Sequence, residues 1–80
     1  METNTDPTLE EIVAEPLLQL FRHMHLPAQL KAISQPFGVL ARQMVATLPR
    51  NPERSTMVRK LREAKDCAVT AQLWQSQPSA

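Results

Sequence analysis

Six cations crowd one short stretch of this chain: Arg50, Arg54, Arg59, Lys60, Arg62 and Lys65, set against Glu53, Glu63 and Asp66. The run NPERSTMVRKLREAKD (51–66) opens with Asn51 as a helix N-cap and Pro52 at the first helical position. At about 100° per residue, Met57, Val58, Ala64 and Ala68 fall within about 60° of Leu61 and make an apolar stripe. Arg59, Glu63, Asp66 and Thr70 lie opposite, and the pairs Arg59–Glu63 and Arg62–Asp66 have the i, i+4 spacing of a solvated face. Arg54 and Lys65 break the pattern: they sit about 20° and 40° from Leu61, three turns apart on the stripe itself. Two cations there have a structural explanation and a chemical one. Arg54 can snorkel past the end of the core, and Lys65 can pair with an acid of the N-terminal segment. Alternatively they form an anion site, with arginine offering a planar fork to phosphate and lysine a point charge. Ser55 would add a hydroxyl beside the free N–H groups of the helix start.

Other constellations carry less. His23 and His25 are two residues apart and share no helix face, so they do not define a metal site. Cys67 falls mid-helix with no glycine-rich turn, and no nucleophile or paired acid and base stands out. The reading is a protein without catalytic residues, metal or cofactor. Phe37 reads as core, whereas Trp74, at a helix end, can pack on a partner chain or stack on a base.

Eighty residues make one domain (1–80), and a thin one. A chain of this size buries roughly 60–65% of its unfolded surface, so it is marginal without staples or partners. The lone Cys67 cannot close an internal disulfide, which fits a reducing cytosol and makes self-association the expected stabiliser. No secretory signal or membrane-length apolar run is visible. One glycine and no tyrosine argue against an all-β fold. Charge is divided along the chain. Residues 1–30 carry Glu2, Asp6, Glu10, Glu11 and Glu15 against Arg22, while residues 49–65 carry six cations against Glu53 and Glu63. The two halves can pair, or the basic half can take a small anion; a polymeric nucleic acid calls for a more basic domain overall.

Prolines set the organisation. Asp6 precedes Pro7 and reads as an N-cap, with an overlapping capping box at Thr8 and Glu11. A first helix over 7–24 must kink or split at Pro16, within an N-terminal segment spanning 7–34. Ser34 is placed to cap a helix starting near Pro36, whose stripe is Phe37, Leu40, Ala41, Met44, Val45 and Leu48. A stop and restart at Leu48-Pro49-Arg50-Asn51-Pro52 leads into the basic helix, which runs to about Trp74. The fold class is therefore all-α: a short, kinked or split N-terminal helix on an antiparallel two-helix hairpin (36–74), with a frayed tail over 75–80, assembling into a helical homo-oligomer.

The run LPRNPERSTMVRKLREAKDCAVTA, 24 contiguous residues, resembles the hairpin signature of the bacteriophage anti-CBASS sponges, a hairpin related to that of the anti-Thoeris sponges. Residues 1–35 show no such resemblance. The resemblance implies a homohexamer that holds cyclic di- and trinucleotides between subunits without cleaving them, in the cytoplasm of an infected bacterial host, so that CBASS effectors stay inactive. Arg54 matches the arginine associated with the trinucleotide pocket, and Ser55 stands where threonine is usual. Thr70 replaces a usual arginine and Met57 a smaller residue. The dinucleotide pocket is associated with a tyrosine and a lysine; with no tyrosine in this chain, Lys31 is the candidate phosphate contact and trinucleotides are the better-supported ligand. The expected ligand-binding set is Arg54, Ser55, Lys65, Lys31 and Trp74. The rival from another class is a helical protein–protein adaptor whose basic helix docks an acidic partner. A small DNA-binding regulator ranks last, since the acidic N-terminus opposes phosphate approach.

Overall fold

A computed structural model describes residues 4–75, and within them every regular element is helical. Helix α1 spans Leu9–Ala14, a 3₁₀ segment follows over Pro16–Phe21, α2 spans Ala28–Thr47 and α3 spans Pro52–Gln75. The expected tail beyond Gln75 lies outside the described residues.

The N-terminal boundaries follow from capping and proline chemistry. Thr8, not Asp6, caps α1: its hydroxyl accepts the Glu11 N–H at 3.2 Å, while the Glu11 carboxylate accepts the Thr8 N–H at 2.8 Å. Asp6 instead clamps the chain further on, accepting the backbone N–H groups of His23 (2.7 Å) and Met24 (3.1 Å). Pro16 splits the first helix as expected. Glu15, the residue before it, is extended at φ −145°, ψ 92°, and the chain restarts with Pro16 at the first position of the 3₁₀ segment.

The largest departure is at Pro36. The helix expected to start there begins at Ala28 and runs through the proline, which therefore sits inside α2. An interior proline costs about 3 kcal/mol. Packing on both sides of it offsets that cost, because Ser34, Gly38 and Ala41 are buried. The hairpin is accordingly longer than 36–74, starting at Ala28.

α2 and α3 are joined by the short turn at Pro49–Asn51. Asn51 Oδ1 accepts the Arg54 N–H at 2.9 Å, the expected cap. Contacts run antiparallel: the end of α2 meets the start of α3, and Ser34 near the start of α2 shares a groove with Val69 of α3. The core is small: Leu18, Phe21, Ala41 and Val58 are fully buried, flanked by Ile12, Leu17, Phe37, Val45, Met57 and Leu61. Gly38 allows the 3₁₀ segment to press onto α2. A Cβ there would lie 3.1 Å from both the Phe21 carbonyl oxygen and His23 Nδ1.

Candidate functional site

Arg54 sits in the first turn of α3, on the face that meets the rest of the molecule, and is only 7% exposed. Its Nε donates to Glu15 Oε1 at 3.2 Å, and Glu15 is equally enclosed. Its Nη1 donates to the carbonyls of Val45 (3.4 Å) and Leu48 (3.3 Å), at the end of α2. Those carbonyls have no intrahelical donors and lie at the negative end of the α2 dipole, so a guanidinium is a favourable cap there. The Ser55 hydroxyl lies 3.4 Å from both Glu15 carboxylate oxygens. One guanidinium N–H and the serine hydroxyl thus meet at one oxyanion, and within the protomer that oxyanion is Glu15, while the first N–H groups of α3 go to Asn51.

Lys65 is elsewhere. Eleven residues of helix separate it from Arg54 by about 16 Å along the axis, so no single phosphate touches both within one protomer. Lys65 Nζ donates to the Leu20 carbonyl at 2.7 Å, lies 3.5 Å from Asp66 Oδ1 and sits 5.6 Å from the centre of the Phe21 ring. The expected structural partner for Lys65 was an N-terminal acid. The structure gives that acid to Arg54 and a main-chain carbonyl to Lys65. Lys31 lies near the start of α2, half-buried, and Trp74 is 70% exposed near the end of α3, beside Cys67, Thr70 and Ala71. Of the five expected residues, only Arg54 and Ser55 come together.

A second polar cluster ties the N-terminal segment to α2. Arg42 Nε donates to both Glu11 carboxylate oxygens at 3.0 Å, and Arg42 Nη1 to the Thr5 carbonyl at 3.0 Å. Burial alone would raise the Glu11 carboxyl, but the hydrogen bonds from Arg42 and Thr8 outweigh it and hold the carboxyl below its ordinary value. Burial likewise opposes the ionised Asp6, yet the His23 and Met24 N–H groups and the nearby imidazoles keep its carboxyl low. His23 is fully buried, with Nε2 against the Thr5 hydroxyl and Nδ1 against the Phe21 carbonyl at 3.0 Å and Asp6 at 3.4 Å. Threonine, imidazole and carboxylate are thus in line. The ring is sealed from solvent, so the arrangement fastens the fold and offers no substrate access.

The residue missed from sequence was Glu15. Its signal was its place before Pro16, where the extended backbone takes it out of the helix and lets its carboxylate turn inward. Among the described residues no group of three or more His, Cys, Asp and Glu side chains is arranged for a metal ion. No helix among them is long and apolar enough to cross a membrane. No family model, curated protein or solved structure matches the chain.

Proposed function

We propose that this chain is a non-catalytic sponge for cyclic oligonucleotide second messengers, cyclic trinucleotides above all. It acts as a self-assembled oligomer, a homohexamer by resemblance, in the cytoplasm of a phage-infected bacterium, and so keeps CBASS effectors inactive. The observation that carries the reading is the oxyanion cradle of Arg54 and Ser55 at the start of α3, in the NPER run that bears the family resemblance. A phosphodiester presents two equivalent oxygens, as a carboxylate does, and takes the place of Glu15 on the guanidinium and the hydroxyl. Glu15 stands in an extended link between α1 and the 3₁₀ segment, so it can be displaced without unwinding a helix. Lys65, Lys31 and Trp74 lie apart from this cradle and enter the reading as contacts at other points of the ligand or from neighbouring protomers.

Self-assembly has its own support. The molecule is thin, spanning 15 Å of backbone along its shortest axis, room for about two layers of helix with axes roughly 8–10 Å apart. Leu9, Val13, Leu73 and Trp74 are exposed on it. Calorimetric titration with cyclic trinucleotides tests the reading: binding at micromolar concentration or tighter, with ligand recovered intact after heat denaturation, is expected. Absence of binding, or recovery of cleaved ligand, overturns it.

The adaptor reading has one observation in its favour, namely that Arg54 and Lys65 both have partners within the chain. It requires a melting temperature insensitive to cyclic nucleotides.

A further inference from the structure

Away from the Arg54 cradle, the end of the 3₁₀ segment, the turn after it, α2 and the second half of α3 enclose a groove of about 420 Å³. That is within the range of small-ligand sites, roughly 300–1,000 Å³. Arg22, His25 and Lys65 reach it from two different parts of the chain, the Thr70 hydroxyl adds a donor, and Leu26 and Val69 supply an apolar wall. The one carboxylate there, Asp66, lies 3.5 Å from Arg62 Nε and 3.5 Å from Lys65 Nζ, so its charge is shared between two cations. Lys65 is largely enclosed, with one donor committed to the Leu20 carbonyl and Asp66 3.5 Å from its nitrogen, which leaves at least one donor for a ligand. An ammonium has three donors, and a partly desolvated cation acts more strongly on an incoming anion than a solvated one.

We infer that this groove binds a small phosphomonoester with an apolar body, such as a mononucleotide, its phosphate between Arg22 and Lys65 and its base against Leu26 and Val69. The placement follows from the chemistry of the lining. Arginine clamps phosphate with two parallel N–H groups, lysine adds a point charge, and a flat base needs only an apolar surface to lie on. This site goes beyond the proposed function, because cyclic oligonucleotides carry phosphodiesters and no terminal phosphate.

The test is an NMR titration of the full chain with 5′-AMP, inorganic phosphate and adenosine as separate probes. AMP is expected to shift the amides of residues around 22–26 and 65–70, and to bind at least about fivefold more tightly than either phosphate or adenosine. Arg22→Ala, at an exposed position, is expected to weaken AMP about tenfold or more, whereas Lys60→Ala, exposed and outside the groove, changes it less than about twofold. The inference is overturned if AMP binds no better than inorganic phosphate, if adenosine binds as well as AMP, or if the two variants weaken AMP equally. Failure here leaves cyclic trinucleotide binding intact, and failure of cyclic trinucleotides to bind leaves this result standing.

Discussion

Arg54 and Glu15, 39 residues apart, form a buried ion pair at 3.2 Å that fastens the N-terminal segment to the hairpin and closes the open end of α2. The pair explains why a cation occupies the apolar stripe of α3. The guanidinium meets three acceptors there, the Glu15 carboxylate and two helix-end carbonyls, so the position is a polar junction.

Breaking that junction from one side strands a buried charge, which typically costs about 3–5 kcal/mol. With four fully buried apolar side chains among the described residues, that is a large share of the total stability. Glu15→Ala is expected to lower the urea midpoint sharply or prevent cooperative unfolding. Glu15→Gln, which keeps an acceptor for Arg54, is expected to lose markedly less. Equal losses in the two variants would show that the carboxylate charge is not what Arg54 needs.

Gly38→Ala separates helix propensity from packing. On propensity alone it would stabilise α2 by about 1 kcal/mol. The new methyl would press at 3.1 Å on the Phe21 carbonyl and on His23, a ring with no room to retreat. The expected outcome is net destabilisation of about 1–3 kcal/mol by chemical denaturation. A higher midpoint would mean that the 3₁₀ segment yields.

The acid limb of stability comes from Asp6 and Glu11. Both carboxyls are held below their ordinary values of 3.8 and 4.5, so the folded form stabilises the ionised state. Their contribution is complete above about pH 4.5 and disappears as pH falls through the lowered folded-state values. Melting temperature is therefore expected to drop below that pH, and Arg42→Ala is expected to shrink the Glu11 share of the drop. An acid limb identical in Arg42→Ala would contradict this assignment.

Much of the fold was legible. The caps at Thr8 and Asn51 and the break at Pro16 follow from local chemistry, and all three stand in the structure. Pro36 was misleading because its local signal says helix start, whereas burial of Ser34, Gly38 and Ala41 holds one continuous α2. The charge asymmetry allowed pairing between the acidic first part and the basic stretch 49–65, and Glu15 meets Arg54 there; Glu11 meets Arg42, a cation outside that stretch. Which acid meets which cation was not legible, since it depends on the turn after Glu15 and on how α1 crosses the hairpin. The wheel placed Arg54 and Lys65 on one stripe, and both do turn inward. A wheel discards distance along the axis, so it could not show that they serve different parts of the molecule.

In the proposed function, Arg54 and Ser55 hold a ligand phosphate in place of Glu15. Calorimetric titration of a cyclic trinucleotide into the wild type and Glu15→Gln, with the oligomer checked by light scattering, tests that exchange most directly. Removing the competing charge is expected to tighten binding about tenfold while the oligomer is unchanged. Binding that is absent from both proteins, or equal in the two, would contradict the claim.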